Sequence, residues 1–151
     1  MLFGAVYVRV QAGDINSNGS LIAGRDVSIK LTGDLTNSGT IAGRQVVNLV
    51  AENIHNLGGR ISGNAVSVQA RQDLNNIGAT ISAQSSLSVS AGRDLNLQST
   101  THTASLQVPG ISASRTSLDR VAGLYVTGDK GVLVASAGRD ANIIGGVIAS
   151  Q

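Results

Sequence analysis

Apolar and polar residues alternate along this chain in short runs. Val66, Val68 and Ala70 alternate with Ser67 and Gln69, and Leu87, Val89 and Ala91 alternate with Ser88 and Ser90. A period of two puts successive side chains on opposite faces of an extended backbone, so these runs predict half-buried strands. No stretch sustains a helical spacing of apolar residues over ten or more positions. The 19 glycines in 151 residues also recur too often for helices of ordinary length. The pattern predicts a nearly all-β chain, with strands of four or five residues separated by Gly, Asn and Asp, which turn the backbone at little steric cost.

The strands recur. I-A-G-R-D-V-S-I at 22–29, I-A-G-R-Q-V-V-N-L at 41–49, I-S-G-N-A-V-S-V at 61–68 and I-S-A-Q-S-S-L-S-V at 81–89 place Ile22, Ile41, Ile61 and Ile81 at steps of 19, 20 and 20. A second phrase keeps the same step: G-D-I-N at 13–16, G-D-L-T at 33–36, E-N-I-H at 52–55, Q-D-L-N at 72–75 and R-D-L-N at 93–96. A glycine follows at Gly19, Gly39, Gly58 and Gly78. One period shared by several features marks a solenoid. A unit of about 20 residues cannot enclose its own core, so its apolar face must be covered by the units before and after it. The economical solution is a parallel β-helix: one unit makes one coil, and each strand pairs with its equivalent about 4.8 Å away. A leucine-rich repeat would need an L-x-x-L-x-L-x-x-N frame, and a propeller blade about 40 residues per unit.

Polar columns follow from the same stacking. Asn16, Asn75 and Asn96 share one register and Asn37, Asn56 and Asn76 the next, so their amides are expected to bond from coil to coil and to turn backbone. Asp14, Asp34, Asp73 and Asp94 form a column interrupted by Asn53. Like charges about 5 Å apart repel by roughly 0.8 kcal/mol even in water. These aspartates read as solvated turn residues partly offset by Arg71 and Arg93, rather than as a carboxylate site.

One region breaks the period. Residues 98–120, Q-S-T-T-H-T-A-S-L-Q-V-P-G-I-S-A-S-R-T-S-L-D-R, are rich in Ser and Thr and hold the only proline, Pro109. A-G-R-D-A-N-I at 137–143 then repeats A-G-R-D-L-N-L at 91–97 after 46 residues, a gap of about two coils plus several extra residues. The expected organisation is coils over 1–97, an insertion over 98–120 that leaves the stack as a loop or hairpin, and further coils over 121–151. His102, Pro109 and Arg115 are the candidate partner-contact residues of the insertion. Met1–Val10 reads as the tail end of a coil and 144–151 as the start of another, so the stretch is expected to be part of a longer array.

Composition narrows the function. Hydrophobic residues make up 42% and charged residues 13%, which argues against disorder. The net charge of +2 is scattered and aromatics are nearly absent, so nucleic-acid binding has no support. There is no cysteine, which removes disulfides and thiol chemistry and suits a chain exported unfolded. Met1–Val10 lacks the features of a signal peptide and is far too short to span a bilayer, so no membrane insertion is expected. His55 sits in a repeat position otherwise held by Asn or Thr and His102 in the insertion, with no metal-ligand spacing or nucleophile motif beside either. G-D-K-G at 128–131 lacks the phosphate-loop frame and reads as a turn. No catalytic, cofactor or metal site is expected. A β-helical polysaccharide lyase or hydrolase would group its acids off the lattice, whereas here nearly every acid lies on it.

The phrases G-T-I-A-G-R, N-L-G-G-R-I-S-G, A-G-R-D-L-N-L-Q-S and V-A-G-L-Y-V-T-G-D-K-G-V-L-V-A-S-A-G-R-D resemble the hemagglutinin repeats of bacterial filamentous hemagglutinins and of contact-dependent growth inhibition exoproteins. That resemblance covers essentially the whole chain. It implies a right-handed parallel β-helix, exported by two-partner secretion through an outer-membrane transporter and displayed on, or shed from, a Gram-negative cell. It further implies a role in adhesion, biofilm and virulence, or as the stalk of a toxin exoprotein, with the rest of the array as the rod's neighbour. The secretion domain and any toxin domain of that family have no counterpart in these residues.

Overall fold

The computed structural model describes residues 6–8 and 21–151. The phrase at 13–16, Gly19 and the remainder of Met1–Val10 lie outside the described residues, and of Val6–Val8 only the backbone is described. Every regular element among the described residues is a strand: β1 (Val6–Val8), β2 (Leu21–Lys30), β3 (Leu35–Asn37), β4 (Thr40–Ala51), β5 (Ile54–Leu57), β6 (Arg60–Ala70), β7 (Leu74–Ile77), β8 (Thr80–Ala91), β9 (Asp94–Gln98), β10 (Thr100–Val108), β11 (Ile111–Arg120), β12 (Gly123–Val126), β13 (Val132–Ala137), β14 (Asp140–Ile144) and β15 (Val147–Ser150).

The strands wind into a β-solenoid of about six coils. One parallel sheet runs β1-β2-β4-β6-β8-β12-β15, with β13 also on β8, and a second runs β3-β5-β7-β9-β14. The long strands differ from the expected four or five residues. Each carries a register shift near its middle, as between Ala42 and Val46 or between Gly63 and Ala65. That shift marks a corner, because β12 pairs with Thr80–Ala83 and β13 with Ser86–Ala91 of the same strand β8. A coil therefore has three pairing runs, and backbone pairing nearly continues around one corner.

In-register pairing builds the core. Ile22, Ile41, Ile61, Ile81, Leu124 and Ile148 are successive partners in one column. Ile41, Ile61, Ile81 and Leu124 are fully buried. Ile29, Leu49, Val68 and Val89 form a second column, and Leu35, Ile54, Leu74 and Leu95 a third. All are buried in one apolar cluster. Aliphatic side chains suffice here because each touches its own kind above and below. Stacking like shapes leaves little void without large aromatic rings.

Asn37, Asn56 and Asn76 share the inward parity of Leu35, Ile54 and Leu74 and are buried with them. Asn37 Nδ2 donates to Asn56 Oδ1 at 2.9 Å, and Asn56 Nδ2 donates to Asn76 Oδ1 at 2.7 Å. The run is closed at both ends by backbone: Gly39 N donates to Asn37 Oδ1, and Asn76 Nδ2 donates to the Ala79 carbonyl. A buried amide left unbonded costs about 1–3 kcal/mol, so this ladder fixes which coil stacks on which. Because Asn76 ends its chain of bonds on its own coil, the next position in the column can be Leu97, also buried.

The interruption contains one coil, not about two. Asp94 pairs directly with Asp140, and β9 with β14 along its length. The extra residues are an antiparallel hairpin of β10 and β11 and a wider turn before β13, where Gly131 N donates to the Gly128 carbonyl across the G-D-K-G stretch. Ser99 N bonds the Ile144 carbonyl and Val147 N bonds the Ala122 carbonyl, so the coil resumes at Ala122 as though residues 100–121 were absent.

Replacing Ile61 by Asp puts an unpaired carboxylate in the middle of the fully buried isoleucine column. Chemical denaturation is expected to show a loss of several kcal/mol, whereas a variant that unfolds at the parent's midpoint places Ile61 on the surface.

Candidate functional site

Among the described residues the hairpin is the one element that leaves the stack. Strands β10 and β11 pair from Thr100↔Arg120 to Val108↔Ile111, and apart from Thr100 their residues are exposed throughout. Pro109 and Gly110 form the tip, with Gly110 at φ 89°. Proline followed by a residue at positive φ is the type II pattern, which only glycine fills without strain. Directly opposed residues share a face. His102 lies opposite Ser117, Ala104 opposite Arg115 and Leu106 opposite Ala113, with Val108 opposite Ile111 at the end. Of the candidate contact residues, His102 and Arg115 are therefore neighbours on one face, and Pro109 caps the tip. The exposed apolar group Leu106, Val108 and Ile111 was missed by composition-based reading of a Ser/Thr-rich segment. Its signal was present in the alternation of I-S-A-S-R at 111–115. The opposite face is polar apart from exposed Leu118 at its base, with the Thr103 and Thr116 hydroxyls 2.9 Å apart.

The root of the hairpin is tied to the coils. Ser99 Oγ donates to the Gly145 carbonyl at 2.7 Å and accepts from Ala122 N at 2.9 Å, bridging the point of exit. Arg120 N bonds Thr100 Oγ1, and Arg120 Nη1 reaches back to the Gly58 carbonyl at 3.1 Å. Gly58 and Gly78 take φ of 67° and 55° at the corner below. A Cβ on Gly58 would stand 2.5 Å from Arg120 Nη1, and one on Gly78 would crowd Thr100 and the Arg120 Cβ. These two glycines thus turn the chain and also leave room for the hairpin root to lie on that corner.

An outward ladder runs along the second sheet. Thr36, His55, Asn75, Asn96 and Asn142 occupy successive coils in one column. Asn142 Nδ2 donates to Asn96 Oδ1 and Asn96 Nδ2 to Asn75 Oδ1, both at 2.8 Å; Asn75 Nδ2 lies 3.1 Å from His55 Nδ1. His55 therefore serves as a member of an amide ladder.

Residues 51–114 match the hemagglutinin-repeat family model. Over that segment the chain is similar to the hemagglutinin repeat of filamentous hemagglutinin-like proteins. The matched segment runs from the end of β4 through two coils and β9 into the second strand of the hairpin, so the match includes part of the insertion. No curated protein and no solved structure matches the chain.

Along the solenoid the acidic edge is a set of clasps between coils. Arg93 reaches down one coil to Asp73 with both Nε, at 2.8 Å, and Nη2. Arg139 grips Asp94 in the same way, its Nε at 2.9 Å. Arg71 instead pairs with Glu52 at 3.5 Å and bonds the Leu31 carbonyl, so it offsets a different acid from the one expected of it. Asn53 links the column between Asp34 and Asp73: it donates to Asp34 Oδ1 at 2.9 Å and accepts from Asp73 N. The hydrogen bond from Arg93 holds Asp73 below the usual carboxylate range, against a smaller opposing effect of desolvation and with help from Asp94 N. The same bond raises Arg93, and the Asp94 clasp raises Arg139. Among the described residues no group of three or more His, Asp or Glu could hold a metal ion.

A carboxylate whose value is depressed by folding adds stability above its unfolded value, near pH 3.9, and loses it as the pH falls through the lower folded value. Asp73→Asn is therefore expected to melt below the parent at pH 6, with the difference shrinking towards zero as the pH is lowered past 3. Melting curves recorded across that range check this, and a gap that stays constant contradicts it.

Proposed function

We propose that this solenoid is a non-catalytic rod segment of a secreted bacterial adhesin, in which the coils provide stiffness and the hairpin of β10 and β11 within the 98–120 insertion provides the contact surface. The observation that carries this reading is the contrast in exposure. Between Val27 and Leu97 only Val46 and Leu57 expose a large aliphatic side chain, while the hairpin presents Leu106, Val108 and Ile111 to solvent beside His102 and Arg115. Exposed apolar side chains grouped on one rigid protrusion are what a partner-binding surface requires. The similarity of residues 51–114 to the hemagglutinin repeat supports this reading, since that family is in general structural and adhesive and suggests a secreted, two-partner secretion setting. A catalytic reading has little to draw on, because Asp73 and Asp94 are each committed to two bonds from one arginine. A toxin-delivery stalk would use the same coils but has no need of the hairpin's apolar face.

Excising residues 100–121, so that Ser99 joins Ala122 as Gly78 joins Ala79, separates the two roles. The shortened rod is expected to keep its thermal midpoint within a few degrees and to lose most of its binding to cells or to an immobilised extracellular matrix. Undiminished binding would reduce the hairpin to a spacer.

A further inference from the structure

The two amide ladders on the second sheet point in opposite directions and are anchored differently. In the buried ladder every Nδ2 donates towards the C-terminal coils, from Asn37 to Asn56 to Asn76. Its direction is fixed at both ends, because Gly39 N can only donate and the Ala79 carbonyl can only accept. In the outward ladder every Nδ2 donates towards the N-terminal coils, from Asn142 to Asn96 to Asn75 and finally to His55 Nδ1. Asn75 Oδ1 is already occupied by Asn96 Nδ2, so the group that Asn75 turns to His55 is an N–H, and His55 Nδ1 must accept it. That requires a neutral imidazole with its proton on Nε2.

We infer that His55 sets the direction of the outward ladder, and that protonating its ring reverses the amides of Asn75, Asn96 and Asn142 together. An imidazolium carries a proton on both nitrogens and cannot accept. Two donors would then face each other between His55 and Asn75. Rotating the Asn75 amide by half a turn restores the bond, since its Oδ1 then accepts from Nδ1–H, but it aims Nδ2 at the Asn96 Nδ2. Asn96 must turn in answer, and then Asn142. The last rung, three coils from the histidine, exchanges a presented Oδ1 for a presented amide N–H, with no movement of the backbone. A charge change at one residue thus becomes a change of hydrogen-bonding character further along the rod.

The surroundings leave the histidine to act on the ladder. Its column holds Thr36 on β3 and Asn75 on β7, neither of them ionisable. The charged groups along this sheet stand at the edge preceding it. They are Asp34, Asp73 clasped by Arg93, Asp94 clasped by Arg139, Asp140 at 3.4 Å from Arg139, and the Arg71–Glu52 pair. On the other side Arg120 of β11 is bonded to the Gly58 carbonyl.

Histidine changes charge between about pH 5 and 8, the range in which side-chain amide and imidazole signals can be followed together by NMR. The result expected is that the side-chain NH2 resonances of Asn75, Asn96 and Asn142 shift with one common midpoint, equal to that of the His55 ring. Those of the buried Asn37, Asn56 and Asn76 stay still. His55→Asn, which supplies the residue the neighbouring coils use, is expected to fold normally and to abolish the pH response of all three outward amides. Signals of Asn96 and Asn142 that hold constant while His55 titrates, or that titrate equally in His55→Asn, overturn the inference.

Discussion

Parallel pairing of each coil with the next, in a register that sets like side chains upon like, is the constraint on which the rest of this molecule depends. A single coil of about 20 residues has no interior. It acquires one only when Ile41 meets Ile61 and Ile61 meets Ile81, each closing the space beneath its neighbour. The backbone hydrogen bonds that define the register belong to the same stacking, so packing and pairing cannot be satisfied separately. Slipping one strand by one residue would turn Val66 and Val68 outward and Ser67 inward.

Stacking also converts weak polar pairs into specificity. A solvent-exposed ion pair contributes little by itself, but Arg93 on Asp73 and Arg139 on Asp94 repeat the same reach from one coil to the one below. The buried asparagines do more, because an amide displaced from Asn37, Asn56 or Asn76 has no water to turn to. A stack of aliphatic columns alone would tolerate shifts of a whole coil. Three amides with fixed ends distinguish these coils from the others. The hairpin is compatible with all this because it departs between Ser99 and Ala122, a corner where no inward side chain is interrupted and where one serine hydroxyl spans the gap.

The all-β solenoid and its period were legible because identical residues recur at nearly constant steps, and parity alone told inside from outside for Val66, Val68, Leu87 and Val89. Parity could also have separated the asparagines, since Asn76 stands two residues after inward Leu74 and Asn75 only one. Other features were hidden by coincidence or by geometry. The 46-residue gap imitated two periods because a hairpin and a widened turn together add about one coil's length. Arg93 has Asp94 beside it in sequence and Asp73 a coil below, and only the stacking direction selects Asp73. Corners within β4, β6 and β8 keep their extended backbone, so breaks that composition suggested between short strands became bends within long ones. The apolar face of the hairpin was masked by its serines and threonines, which occupy alternate positions.

Distance along the stack tests the central claim most directly. Ser28, Asn48, Ser67, Ser88 and Val134 are consecutive partners in one outward column, and the chain has no native cysteine to compete with introduced labels. Spin labels at Ser28→Cys and Val134→Cys, 106 residues apart in sequence, are separated by four coil steps. Pulsed electron paramagnetic resonance should therefore give a narrow distribution centred near 19 Å, at about 4.8 Å per step. A centre near 24 Å would mean that the interruption contains a second coil. A broad distribution extending well past 30 Å would mean that the coils do not stack.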